Sequence, residues 1–114
     1  MNSPNAATDR ITQAQLDDIV RRLVEALSPR RIYLFGSQLY GEPTRDSDVD
    51  LLILLDDDEL LSEDQDERGY RCLRGLFLPI ELHFHGERQF ERRATVACGF
   101  EHEVISKGRL LYAA

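Results

Sequence analysis

Apolar positions near the start of the chain recur at the spacing of a helix with one buried face. They are Leu16, Ile19, Val20, Leu23, Val24 and Leu27. Thr12 followed by Gln15 fits a capping box, in which the hydroxyl and the amide satisfy backbone N–H groups at a helix start. Ser28 and Pro29 then break the pattern. The sequence therefore predicts an amphipathic helix over residues 12–27.

Three later segments predict β-strands. The run "RIYLF" at 31–35 consists of β-forming residues. The run "VDLLILL" at 49–55 is apolar on both faces beyond Asp50, which is typical of a central strand. In "PIELHFH" at 79–85, apolar and polar side chains alternate, so the strand has one polar face. That polar face carries Glu81, His83 and His85.

The segments between these strands carry weaker signals. Glycine, proline and serine make 36–47 turn material. Ser62 and Gln65 fit the cap of a helix that ends near residue 73, although a solvated loop explains the same acidic stretch equally well. Weak helical patterns follow at 87–97 and 100–107. Strands that alternate with helices predict an α/β or α+β domain with a small sheet.

Size and charge limit the classes of function. A chain of 114 residues, 42% hydrophobic and 31% charged, is expected to form a single domain over 1–114, with residues 1–10 flexible. It shows no signal peptide and no apolar run long enough for a membrane span, so we expect a cytoplasmic protein without a membrane partner. A net charge of −7 disfavours direct nucleic-acid binding and favours a basic protein partner.

The first candidate for chemistry is the turn that leaves the first strand. Glycine at Gly36 allows backbone N–H groups to approach a phosphate, and Ser37 adds a hydroxyl donor. Taken alone, the pair is better explained as an ordinary turn. The segment contains neither a Walker A lysine nor a Gly-x-Gly-x-x-Gly motif, so the common nucleotide motifs do not explain it.

Two aspartates at the start of the second strand strengthen the case. Asp48 and Asp50 are two positions apart, so their carboxylates project from the same face and repel each other unless a cation lies between them. Magnesium, as one ion or a pair, is the favoured cation because it binds carboxylates and substrate phosphates. Glu81 becomes a third acid if its strand pairs beside the second. The alternatives are a separate metal site made by Glu81, His83 and His85, or a plain solvated strand face.

The order of these residues carries a resemblance. "GSQLYGEPTRDSDVD", with ten residues between Gly36-Ser37 and Asp48-x-Asp50, resembles the signature of the polymerase-β-type nucleotidyltransferase superfamily. The leading helix, "IYLFGS", "DSDVDLLIL", "PIELHF" and the closing "EVISKGRLLYA" are similar to the order found in the minimal nucleotidyltransferases (MNT) of HEPN–MNT toxin–antitoxin pairs. The resemblance extends over residues 12–112.

The resemblance implies a small mixed sheet flanked by helices and an antitoxin that uses ATP and Mg²⁺, with two ions, to transfer AMP. The acceptor would be a tyrosine of the partner, a HEPN RNase toxin. The implied catalytic and metal-binding residues are Asp48, Asp50 and Glu81. The implied nucleotide-binding residues are Gly36, Ser37 and Ser47. The family more often has aspartate where this chain has Glu81.

Two other functions fit the same residues. The protein could neutralise a toxin by binding it, with little or no catalysis, which the glutamate at position 81 favours. It could also be a nucleotidyltransferase that acts on another protein or on a small molecule, although 114 residues leave little room for a domain that recognises small substrates.

Overall fold

The computed structural model describes residues 11–36, 49–58, 64–95 and 99–114. These ranges contain four helices and four strands. In chain order they are α1 Gln13–Leu27, β1 Arg31–Phe35, β2 Val49–Leu55, α2 Gln65–Cys72, β3 Ile80–Gly86, α3 Glu87–Ala94, α4 Phe100–Lys107 and β4 Arg109–Ala113. The strands form one sheet in the order β3-β2-β1-β4. Strand β1 is antiparallel to both β2 and β4, whereas β2 and β3 are parallel. The mixed sheet flanked by helices confirms the predicted fold class.

Helix α1 has the predicted start and end. The Thr12 hydroxyl accepts a hydrogen bond from the Gln15 backbone N–H at 3.1 Å, and the Gln15 side chain accepts one from the Thr12 N–H at 2.9 Å. The capping box therefore satisfies two N–H groups that lack helical partners. The helix ends at Ser28, whose φ of 48° takes the chain out of the helical conformation.

Strand β2 is central, as its sequence predicts. Its side chains alternate between two apolar clusters because successive residues of a strand point to opposite faces. On one face, α1 and β1 pack against Val49, Leu51, Ile53 and Leu55. On the other face, Leu52 and Leu54 pack with Tyr33, Phe35, Phe90 and Val104. Asp50 alone within β2 is half-buried rather than buried, and it lies on this second face.

Two helix boundaries and one strand differ from the predictions. Helix α2 begins at Gln65 with Asp64 at its N-cap, and the predicted cap residue Ser62 lies outside the described residues. Helix α3 ends at Ala94, earlier than predicted, because Thr95 begins a turn. The terminal apolar run forms β4, which was not predicted because an edge strand with Leu110 49% exposed lacks a buried alternating face.

The remaining predictions for the chain's ends and loops concern residues 1–10 and 37–47, which lie outside the described residues. None of the helices in the described ranges combines the length and the apolar character that a membrane crossing requires.

Candidate functional site

The candidate site lies where three strands meet at one end of the sheet. Because β1 is antiparallel to β2 and β3 is parallel to it, the last residue of β1 adjoins the first residues of β2 and β3. Asp50 is paired with Phe35 on one side and with Glu81 on the other. Paired residues point to the same face. The condition for Glu81 to lie next to Asp50, that β3 pairs beside β2, is therefore met.

Gly36 leaves the room that the Asp50 carboxylate occupies. Its φ is +87°, in the left-handed region that favours glycine. A Cβ atom at this position would lie 3.2 Å from Asp50 Cγ and 3.3 Å from Asp50 Cβ, and would overlap the carboxylate oxygen Oδ2. Glycine is thus required here by the aspartate as well as by the backbone, and its predicted contact with phosphate stays a prediction.

His83 is the third member of the site. Its Nε2 atom lies 3.6 Å from Asp50 Oδ1 and 4.0 Å from Glu81 Oε1. One potential ligand atom from each of the three residues lies within 4.8 Å of the other two. Within the described ranges, these are the three His, Cys, Asp or Glu side chains that lie close enough together to hold one metal ion. The metal site predicted as an alternative, Glu81 with His83 and His85, is not among the groups that these described residues form, since His85 lies against Glu101 of α4.

The three side chains differ in exposure. The exposed fraction of the side chain is 21% for Asp50, 33% for His83 and 53% for Glu81. Asp50 is therefore the innermost member, and Glu81 is the one most open to a molecule arriving from solvent.

The residues present fit a divalent cation. His83 Nε2 is buried from solvent and has no hydrogen-bond partner within the described part of the chain, although it faces two carboxylates. A buried polar atom of this kind is costly unless something binds it. A cation would satisfy the nitrogen and would also offset the repulsion between the two acids. Asp50, Glu81 and His83 are the described residues that could hold it.

A second polar cluster lies beside the site. Glu101 of α4 is only 6% exposed, and its Oε2 lies 3.8 Å from His85 Nδ1 and 3.9 Å from Arg93 Nη1. Burial lowers the pKa of His85, an effect that Glu101 opposes and that His83 and Arg93 reinforce. The sequence pattern gave no sign of this cluster, because Glu101 resembles any acid in the first turn of a helix.

Aromatic rings form the wall between these two clusters. The Phe35 ring lies 5.2 Å from the His83 ring and 5.3 Å from the Phe100 ring, measured between centroids. Phe100 in turn lies 5.7 Å from the His85 ring. These contacts fix the two imidazoles in separate surroundings, one beside the carboxylates of the site and one against α4.

Three of the six predicted site residues can be located. Gly36, Asp50 and Glu81 lie together, as described above. Ser37, Ser47 and Asp48 lie outside the described residues, so their predicted roles in phosphate and metal binding stay predictions.

Comparison with known proteins gives an independent indication of the family. A family model for the nucleotidyltransferase domain matches residues 14–109. No curated protein gives a significant match.

Solved structures share the fold. One, from Sulfolobus solfataricus and provisionally described as a nucleotidyltransferase, is 17% identical with a TM-score of 0.64, and the match covers 98% of this chain and 90% of that one. Another, also provisionally described as a nucleotidyltransferase, is 18% identical with a TM-score of 0.55, covering 87% and 99% of the two chains. A third is a toxin–antitoxin solved with AMP-PNP. It is 25% identical with a TM-score of 0.60, and the match covers 86% of this chain and 73% of that one.

Proposed function

The chain belongs to the nucleotidyltransferase domain family, and we propose that it is an antitoxin that transfers AMP from ATP to a tyrosine of a cognate HEPN RNase toxin. The observation that carries the proposal is the pairing of Asp50 with Glu81 across β2 and β3, at the strand end occupied by Gly36. Two acids held side by side at a glycine turn suit the transfer of a nucleotide better than a purely structural role, in which the repulsion between them would be a cost.

Two further observations support the choice of donor and partner. The similar toxin–antitoxin structure contains AMP-PNP, which favours an adenine nucleotide and a protein partner for this chain as well. The net charge of −7 favours a basic, RNA-binding partner, because complementary fields speed association and discriminate against wrong partners.

The cation in this proposal is Mg²⁺, with one or two ions held by Asp48, Asp50 and Glu81. When bound, magnesium neutralises charge on phosphate oxygens and so makes the phosphorus easier to attack. Asp50 suits the inner ligand position because it is the least exposed of the described site residues. Glu81 reaches the site from the neighbouring strand.

The chain's own residues then position the reactants. Gly36, Ser37 and Ser47 would bind the triphosphate. The tyrosine oxygen forms a bond to the α-phosphorus, the bond from that phosphorus to the bridging oxygen breaks, and pyrophosphate leaves with the electron pair. We assign acceptance of the tyrosine proton to Glu81, whose 53% exposed side chain is open to an incoming hydroxyl group.

The test is the transfer of label from ATP carrying ³²P at the α-phosphate to the co-purified toxin. The aspartate variant Asp50→Asn keeps the size of the side chain but removes the charge, so we expect labelling to fall by at least about 100-fold. Asp58→Asn is a matched control, because Asp58 is an exposed acid just beyond the other end of β2. It should label the toxin like the unaltered protein.

The other functions predict different outcomes. If Asp50→Asn labels the toxin normally, the proposed site is wrong. If neither the unaltered protein nor the Asp50→Asn variant labels the toxin, but both protect cells from it, the antitoxin acts by binding alone. Label that appears only on an added small molecule or on another protein would identify a different acceptor.

A further inference from the structure

The site holds a nitrogen ligand that the proposed magnesium chemistry does not use. Carboxylates account for Mg²⁺, which prefers oxygen ligands in near-octahedral geometry. Imidazole is instead a ligand that suits zinc, copper, iron and nickel. His83 brings such a nitrogen to within 3.6 Å of Asp50 and 4.0 Å of Glu81.

We propose that His83 is a metal ligand, so that Asp50, Glu81 and His83 form a centre that binds Zn²⁺ more tightly than Mg²⁺. This inference deepens the proposed function in that it uses the same two carboxylates. It does not require nucleotidyl transfer to take place.

The distances carry the first part of the argument. Two ligands on one tetrahedral zinc ion, at bond lengths of about 2.0–2.2 Å, lie roughly 3.4 Å apart. His83 Nε2 and Asp50 Oδ1 are already at 3.6 Å, and all three ligand atoms lie within 4.8 Å of one another. Glu81 has the longer and more exposed side chain of the two acids, so its oxygen has room to move closer to the ligand atoms of Asp50 and His83.

The burial and orientation of the His83 imidazole are the second argument for a metal ligand. Nε2 is the ring atom directed at the carboxylates, and it is buried without a hydrogen bond within the described part of the chain. The ring also packs against Phe35, which restricts its rotation. A nitrogen that is shielded from water, fixed in direction and close to two acids is organised for a cation.

The glutamate at position 81 fits the same account. Its main-chain position is fixed by the pairing with Asp50, and His83 follows two residues later on the same face of β3. An acid and a histidine two apart on a strand therefore reach one ion together, with Asp50 completing the set from β2.

Metal binding to the full chain, without nucleotide or toxin, tests the inference. Calorimetric titration should give tighter binding for Zn²⁺ than for Mg²⁺, with Zn²⁺ bound at a single class of site. His83→Gln should weaken Zn²⁺ binding by at least about tenfold, the scale on which even outer-shell changes act. Mg²⁺ binding should change much less.

His85→Gln is the matched control. His85 lies on the same face two residues further along β3 but faces Glu101 instead of the carboxylates of the site. This variant should bind Zn²⁺ as the unaltered protein does. Equal losses in the two variants would overturn the assignment of His83.

A measurement on the unaltered protein guards against a variant that does not fold. In ¹⁵N nuclear magnetic resonance of labelled imidazoles, Zn²⁺ should shift the His83 Nε2 signal. The signal of His102, which lies in α4 next to the Ala94 carbonyl group, should stay in place. If His83 does not respond while transfer with Mg²⁺ proceeds, the inference fails and the proposed function stands. If Zn²⁺ binds through His83 but no transfer is found, the inference stands and the proposed function fails.

Discussion

Replacement of Gly36 by alanine tests whether this glycine holds the site open for Asp50. The new methyl group would overlap Asp50 Oδ2 and lie 3.2 Å from Asp50 Cγ. Ordinary van der Waals contact requires 3.4–4 Å. Either the carboxylate or the turn must therefore move, and the buried pairing of β1 with β2 resists movement of the strand itself.

The cost has two parts that can be separated. A non-glycine residue at a φ of +87° costs about 1 kcal/mol. Overpacking against Asp50 adds about 1–3 kcal/mol. Gly75 provides the matched control, because its φ is +91° and a Cβ atom there meets nothing within 4 Å. Gly75→Ala should therefore cost only the first part.

Urea unfolding of both variants, together with labelling of the toxin, measures the two effects. We expect Gly36→Ala to lose about 2–4 kcal/mol of unfolding free energy and Gly75→Ala about 1 kcal/mol. Labelling should fall about 100-fold in Gly36→Ala, because a displacement near 1 Å can cost that much in a catalytic site, and should be unchanged in Gly75→Ala. Equal stability and equal activity in the two variants would refute the argument from space.

Two further predictions concern groups away from the site. Arg31 lies 3.3 Å from Glu87 and 2.7 Å from Glu91, so Arg31→Ala should cost about 1–2 kcal/mol at low salt and less at high salt, as measured by urea unfolding. Arg31→Lys should recover less than half of the loss, because lysine cannot form the two-pronged contact, and full recovery would contradict this. Burial raises the pKa of the Cys72 thiol and so lowers the fraction of reactive thiolate. In a Cys98→Ser variant, which leaves Cys72 as the single cysteine of the sequence, iodoacetamide at pH 8 should react several-fold more slowly with the native protein than with the unfolded protein.

The elements with strong periodic patterns could be predicted from the sequence alone. The 3.6-residue period of α1 and the capping pair Thr12 and Gln15 are local features, so their structure follows from neighbouring residues. The same holds for the doubly apolar β2 and the alternating β3. Strand β4 was missed because it depends on a partner at the sheet edge, and its own pattern, with Leu110 exposed, does not require burial.

The site was predictable in part. The resemblance and the polar face of β3 together suggested that Glu81 belongs with Asp50, and parallel pairing of β2 with β3 places them side by side. The sequence offered His83 and His85 as equivalent positions two residues apart. It could not distinguish their surroundings, because the difference arises from contacts with α4, which brings Glu101 and Phe100 against His85 rather than His83.

The sequence by itself determined helix α1, the strands β1 to β3, the central position of β2 and the face on which its acid lies, since these follow from local periodicity and burial. Only the tertiary structure decided which residues meet at the strand ends. Register across β2 and β3 set Asp50 opposite Glu81, and the packing of α4 left His83 facing both acids. Asp50 lies 31 positions from Glu81 and 33 positions from His83 along the chain, and no local pattern encodes the pairing that brings them together.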